Sequence, residues 1–404
     1  MDKSLKINMD TSLETLQPIL KRGRDVWDQI NMPKREFLQR VAKIRKAMAK
    51  EGIDVLLVYG SGVNDYGNQC YVSNFVTKLT AGALVVIPRK GDLTLFFEGS
   101  SREAKLGQRV TWVDDVRSSL AGVFSSTGSL AGDCVNYLEE HKLIPSKLGF
   151  AGLRELMSYR ELQRLVEGVK ACKVVDAGHI IRDMRVVKSA RECDQIRRAS
   201  RLVSNALGTI PGMVLMHMDE RSLEAKIDWT LRLQGVEDVR ILMARPQNCP
   251  RDAGWALRPA TEAPIAAGET VIVYLAASFE RYWAEGIRTF VAEKTSFAKA
   301  DDEKAHELYQ RVAAAMQPGK STAQFYKEAV KEIGRNAAGN QRHSLANGIG
   351  LSLKEFPVIS GKETDQLAES MCFALRIAVE DQKSATVMMG NTIYLSEKGP
   401  EVLT

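Results

Sequence analysis

Residues 186–211, VVKSARECDQIRRASRLVSNALGTIP, decide how this chain is divided. Ser189 with Glu192 three positions later is a capping-box pattern, in which both side chains satisfy backbone N–H groups left open at a helix start. Ile196, Ala199, Leu202, Val203 and Leu207 then recur at helical spacing, and Gly208 and Pro211 mark the end. Working downstream, a second helix fits 219–235, strands fit 240–244 and 270–278, and helices fit 302–316 and 321–334. The last quarter is strand-rich with Gly turns. Helices beside a set of antiparallel strands define an α+β domain over 186–404.

Working upstream, residues 34–52 place Phe37, Val41, Ile44 and Met48 on one helical stripe, with Gly52 as the stop and a solvated basic face opposite. IDVLLVY (53–59) reads as a buried strand. GALVVIP (82–88) and LTLFFE (93–98) read as strands around the turn Arg89-Lys90-Gly91-Asp92, with shorter candidates at 111–116 and 148–151. Strands alternating with helices over 34–185 define an α/β domain. Residues 1–33 form a polar N-terminal extension with one helical piece.

The 404 residues accommodate two domains. With 45% hydrophobic and 26% charged residues, the composition excludes a disordered chain, a collagen-like repeat and a small disulfide-stapled module. A net charge of 56 − 50 = +6 is mild for this length and calls for neither nucleic acid nor an anionic membrane. No Lys/Arg tract with interleaved aromatics lies outside 21–50. The longest apolar stretches fall far short of the ~20 residues that span a bilayer. The start, MDKSLKINMDTSLETL, lacks the apolar core of a signal peptide. Six scattered cysteines and five scattered histidines offer no zinc knuckle and no local two-His motif, so a reduced cytoplasmic protein without a cofactor is expected.

Several segments, in order, resemble the creatinase, prolidase and Xaa-Pro aminopeptidase group. VVKSARECDQIRRASRLVSNAL is similar to the start of its C-terminal domain, and IPGMVLMHMDERSLEAKIDW to the next helix entry. GETVIVYLAASFERYWAEGIRTF (268–290) resembles its central hairpin, NGIGLSLKEFP (347–357) its Gly-rich strand, and TIYLSEKGPEVLT (392–404) its terminal strand and turn. The resemblance covers about 34–404. It implies an α/β N-terminal domain, a C-terminal pita-bread domain with the site in its cleft, and a homodimer in which the partner's N-terminal domain helps close that site.

The peptidases of the group hold two divalent metals with two Asp, one His and two Glu. The resemblance carries these positions onto Tyr274, Glu285, Asn347, Arg376 and Gly390. Only Glu285 keeps a carboxylate, whereas a dinuclear hard-cation site needs several anionic oxygens. No metal ligand and no functional metallopeptidase are therefore expected. Creatinase works without metal, using a His base and carboxylates around a guanidinium. Here 241–255 (ILMARPQNCPRDAGW) has no His, and Arg376 in place of a carboxylate favours an anion, which argues against creatine.

Each candidate has a structural alternative. Glu285 is a general acid or base, or a salt-bridge partner of Arg288 or Arg376. Arg376, a charge in an apolar run, holds a substrate carboxylate or Glu285. His343 transfers protons or is structural. Lys354 binds an anion or lies in solvent. Asn347 orients substrate or satisfies backbone groups. Tyr274 donates a hydrogen bond or fills volume. Arg240, Arg245, Arg251 and Arg258, with Trp255 and Trp283, clamp an acidic or aromatic ligand or form a basic surface loop. Cys249 is a nucleophile without a His partner in sequence, and Cys372 is core. The leading expectation is a metal-independent enzyme on a small, carboxylate-bearing molecule, with creatinase-like C–N bond hydrolysis. The alternatives are a metal-free lyase or decarboxylase, and a degenerate peptidase homologue acting as a binding module. Convergence of Glu285, Arg376 and His343 in one buried pocket would favour an enzyme.

Overall fold

The computed structural model describes residues 27–62, 65–77, 81–120, 128–213, 218–246, 256–299, 303–334, 345–362, 364–380 and 386–404. Of the extension at 1–33, where one helical piece is expected, residues 1–26 lie outside the described residues and 27–33 contain no helix. The chain divides into two compact units, Met1–Met184 and Arg185–Thr404.

The first unit is α/β. Its helix α1 (Lys34–Glu51) buries Phe37, Val41, Ile44 and Met48, and Gly52 closes it in the left-handed conformation at φ 69°. The chain continues through β1 (Val55–Ser61), α2 (Gly67–Ser73), β2 (Gly82–Pro88), β3 (Thr94–Glu98), α3 (Ser101–Val110) and β4 (Asp115–Ser119). It then forms α4 (Leu130–Glu140), β5 (Lys147–Ala151), α5 (Leu153–Leu156), α6 (Tyr159–Gly168), β6 (Lys173–Asp176) and α7 (Gly178–Val186), within which the division falls. The strands make one sheet in the order β4-β3-β2-β1-β5-β6. The β1–β2 and β2–β3 pairs are antiparallel and the other pairs parallel. Val55, Leu57, Leu84, Val86 and Phe96 of the sheet pack on Ala131, Leu138 and Leu165 of α4 and α6.

The strand expected at 111–116 begins at Asp115 instead. The apolar run before it is anchored by side chains rather than by a ladder. The Thr111 hydroxyl donates to the Ser73 carbonyl, and Trp112 Nε1 donates to the Val72 carbonyl at 2.8 Å.

The second unit is α+β. Helix α8 (Ala190–Thr209) starts at the predicted capping box, with Glu192 N donating to Ser189 Oγ at 3.3 Å and Ser189 N to Glu192 Oε2 at 3.0 Å. It runs through Gly208 and stops at a 3-10 turn, Ile210–Gly212, that contains Pro211. Glycine weakens a helix without ending it, whereas proline removes a donor. Then follow α9 (Glu220–Leu233), β7 (Asp238–Ala244), β8 (Thr270–Phe279), β9 (Tyr282–Ala292), β10 (Phe297–Lys299), α10 (Glu303–Ala314) and α11 (Thr322–Ile333). The last elements are β11 (Ala346–Gly348), β12 (Glu355–Ile359), β13 (Cys372–Glu380), β14 (Thr386–Ser396) and β15 (Gly399–Val402). Among the described residues these nine strands form one sheet, with the path β12-β11-β13-β14-β9-β8-β7.

Strand periodicity sends alternate residues to opposite faces of a sheet. On β8, Val271, Val273, Leu275 and Ala277 join a core with Val203, Leu207, Leu223 and Ile227 of α8 and α9. On β13, Phe373, Leu375 and Ile377 join a core with Tyr309, Val312, Phe325 and Ala329 of α10 and α11. Tyr274 and Arg376 are therefore turned to the face away from the helices. We expect Ser189→Ala, which removes the capping hydroxyl of α8, to destabilise the protein by about 1 kcal/mol, read as a lower urea midpoint with an unchanged slope.

Candidate functional site

The β8–β9 hairpin is legible in the sequence, and its register sets Ala276 opposite Glu285 and Tyr274 opposite Ile287. Tyr274 is thus a diagonal neighbour of Glu285 on one face. Its hydroxyl donates to Glu285 Oε2 at 3.0 Å. Arg376 arrives from β13, with β14 lying between β13 and β9. Gly390 on β14 pairs with both Arg376 and Ile287. A side chain there would start 2.7 Å from Ile287 Cγ1, so glycine leaves the gap across which Arg376 reaches Glu285. Arg376 Nε donates to Glu285 Oε1 at 2.6 Å and Nη2 to Oε2 at 2.7 Å. Its Nη1 donates to Asn347 Oδ1 at 2.9 Å. Asn347 Nδ2 in turn donates to the Gly348 carbonyl at 2.7 Å.

Glu285 is 0% exposed, while the Arg376 side chain keeps 16%. The Glu285 backbone is also held: its N–H donates to Thr392 Oγ1 at 2.9 Å, and its carbonyl accepts from the Thr392 and Thr404 hydroxyls at 3.0 Å each. Burial raises the Tyr274 hydroxyl well above the ordinary range and the Glu285 charge adds to this, with Arg376 opposing, so Tyr274 stays a protonated donor. Burial alone would lower the Arg376 guanidinium, but the Glu285 charge outweighs it and raises it.

Of the sequence candidates, the fold brings together Tyr274, Glu285, Asn347 and Arg376. Glu285 pairs with Arg376 and not with Arg288, whose Nη1 donates to the Ile287 and Gly390 carbonyls and whose Nη2 donates to Asn391 Oδ1. Lys354 is exposed. Arg240 is exposed beside Asp238, its guanidinium 5.9 Å from the Trp283 ring. Arg245 is buried and committed, 2.9 Å from Glu220 and 2.8 Å from Glu269. Arg258 makes a bidentate pair with the same Glu220 at 2.6 and 2.9 Å. Burial would raise the Glu220 carboxyl, yet Arg258 and Thr261 outweigh it and hold it at about 2. Of the four arginines expected to form a clamp, Arg245 and Arg258 are held in an ion-pair network around Glu220. His343, Trp255, Arg251 and Cys249 lie outside the described residues. Cys372 is buried at the start of β13.

Sequence reading did not single out Glu355, which supports the Gly-rich segment beside Asn347. It is buried between Arg185 (2.5 Å) and Lys188 (2.8 Å) and accepts from Ser352 N at 2.9 Å. A side chain on Gly350 would start 3.0 Å from both its oxygens, and one on Gly348 would run into the Phe356 carbonyl. The available signal was a carboxylate within an otherwise apolar strand, with Lys188 as a distant partner.

An α/β unit followed by a nine-stranded sheet, with its helices on one face and a polar cluster on the other, is the pita-bread class of protein. The signature of metallopeptidase family M24 matches residues 194–397, and that of the creatinase/prolidase N-terminal domain matches residues 40–187. The chain belongs to the metallopeptidase family M24. It is 24% identical over 382 residues to an Xaa-Pro dipeptidase of Pyrococcus horikoshii, covering 91% of this chain and 97% of the relative. Among solved structures it is similar to the prolidase from Pyrococcus horikoshii, with TM-score 0.72, 21% identity, and 91% and 98% of the two chains covered. It is also similar to the X-Pro aminopeptidase from Thermotoga maritima, with TM-score 0.68, 20% identity, and coverage of 87% and 96%.

These relatives correct the expected function. The metal-independent, creatinase-like C–N hydrolase, with its alternatives of a metal-free lyase or decarboxylase and a degenerate binding module, is overturned by a likeness to Xaa-Pro dipeptidases that runs nearly end to end. That expectation combined the resemblance to creatinase with the substituted ligand positions, and the likeness to Xaa-Pro dipeptidases over 91% of the chain outweighs both. The local chemistry is a separate observation. Both Glu285 oxygens face a guanidinium, Asn347 Oδ1 faces the same guanidinium, and Gly390 supplies no donor, so the described residues here do not fit a metal ion. Among the described residues no group of three or more His, Cys, Asp or Glu could hold one.

Glu285→Gln leaves Arg376 buried without a countercharge and should destabilise the second unit by about 3–5 kcal/mol. The double variant Glu285→Met/Arg376→Met should recover most of that loss in chemical denaturation. A further expectation concerns pH. Burial would raise the Glu355 carboxyl, but Arg185 and Lys188 outweigh it and hold it at about 2, against an ordinary 4.5. Because the folded value is depressed, its stabilisation is complete above about pH 5 and is lost as pH falls from 4.5 towards 2. Glu355→Gln should flatten this acid limb in melting temperature measured from pH 7 to pH 2.

Proposed function

We propose that this protein is a hydrolase of short peptides of the Xaa-Pro type, bound at the helix-free face of the second unit. The observation that carries the reading is the match to an Xaa-Pro dipeptidase over 91% of this chain and 97% of that relative. At that face Arg376 carries a charge beside Glu285 and keeps part of its side chain exposed. Its outer edge, turned away from Glu285, would take the anionic C-terminal carboxylate of the peptide by charge-assisted hydrogen bonds. Glu285 and Asn347 would act as positioning residues that fix the guanidinium plane, and Tyr274 would hold Glu285 as a neutral donor. The same reading includes a homodimer, supported by the family resemblance. It also includes a cytoplasmic setting, supported by five free thiols at Cys70, Cys134, Cys172, Cys193 and Cys372 among the described residues.

The test is release of free proline from a panel of Xaa-Pro dipeptides by the full chain, with and without added divalent metal. Protein-dependent proline release is expected. Arg376→Lys should raise KM on the order of tenfold, with a smaller effect on kcat, because a bidentate carboxylate contact is lost. No release above the protein-free blank from any dipeptide in either condition would overturn the proposal.

A further inference from the structure

We infer that the Arg376 guanidinium is a built-in cation that takes, at Glu285, the place of a divalent ion, so that the ion pair and a metal exclude one another there. Strands β8, β9, β11 and β13 build this arrangement whatever the substrate. Glu285 has about four lone-pair sites on its two oxygens, and three contacts take three of them: Arg376 Nε at 2.6 Å, Arg376 Nη2 at 2.7 Å and the Tyr274 hydroxyl at 3.0 Å. A hard divalent ion needs such oxygens at about 2.0–2.6 Å, with several more donors around it. The remaining positions do not supply them. Asn347 turns its oxygen to Arg376 and its amide nitrogen to the Gly348 carbonyl. Gly390 has no side chain, and Ile287 sits where one would grow.

Charge points the same way. An ion next to Glu285 would sit against a guanidinium whose side chain keeps only 16% exposure and which that carboxylate holds charged. Between partly buried charges this repulsion is only weakly screened. The guanidinium also performs the mechanical work of a shared ion. It links β13 to β9 through Glu285 and to β11 through Asn347, and Glu285 extends the link to β8 through Tyr274. A planar donor with a fixed fork suits this role, because it satisfies the carboxylate bidentately and still reaches the amide.

The experiment titrates the full chain with MnCl2 alone, by calorimetry at neutral pH. Any Mn2+ binding by the unmodified chain should be the same, within about twofold, in Glu285→Gln. Arg376→Glu removes the cation and adds a carboxylate opposite Glu285. It should gain a Mn2+ site at least tenfold tighter than any in the parent, and adding Glu285→Gln should abolish it. Should Arg376→Glu fail to fold, Arg376→Asp replaces it, with the same gain expected in sign. Micromolar Mn2+ binding by the unmodified chain that Glu285→Gln removes would overturn the inference. So would the absence of any gain in a folded Arg376 variant. Mn2+ occupancy at Glu285 is read independently of peptide cleavage, so this result and the proline-release result can fail separately.

Discussion

A carboxylate with no exposure to water must be paired, and the pairing of Glu285 with Arg376 organises the helix-free face of the second unit. The pair is possible because β14 presents glycine at 390, where any side chain would fill the space between the two strands. The partners come from β9 and β13, and the carboxylate and guanidinium then recruit Tyr274 and Asn347 as the nearest groups able to use their remaining lone pairs and N–H groups. A buried pair of this kind contributes little net stability compared with apolar packing, but its halves cannot be separated cheaply. Its main effect is on chemistry: it leaves an Arg edge, and not a free carboxylate, at the surface.

The same logic recurs at Glu220 and Glu355. Each is a buried carboxylate facing two cations, and in each case attraction outweighs burial and keeps the acid ionised. Glu220 ties Arg245 and Arg258 to the start of α9 and binds Thr261 through its backbone and hydroxyl. Glu355 ties Arg185 and Lys188 to the Gly-rich segment. Charges that look available in the sequence are therefore already spent within the fold. Arg376 differs from Arg245 in that part of its side chain still meets solvent.

Family and local chemistry are two kinds of information here. The family follows from a pattern spread over both units, with identities near one in five to one in four, and it establishes the fold. The local chemistry follows from a few positions in the sheet. The creatinase-like expectation failed because it set a few substituted positions above a likeness to Xaa-Pro dipeptidases that spans both units.

Much of the architecture was legible in the sequence because its causes are local. The stripe from Phe37 to Met48, the Ser189–Glu192 box and the alternation of Val271, Val273 and Leu275 specify elements through contacts a few residues apart. The resemblance of 268–290 to the family's central hairpin carried Tyr274 and Glu285 onto one ligand set, and the hairpin's register makes them contact partners eleven positions apart. Only the tertiary structure decided the rest. Arg376 lies 91 residues from Glu285, and its choice of Glu285 over a ligand depends on strand order, on register and on the missing side chain at Gly390. Arg245 reads as a free loop cation in sequence, and its two carboxylate partners are assigned by how α9 and β8 pack around it. Periodicity acts over one or two turns, whereas a buried charge selects its partner from whatever the whole sheet brings within hydrogen-bond reach.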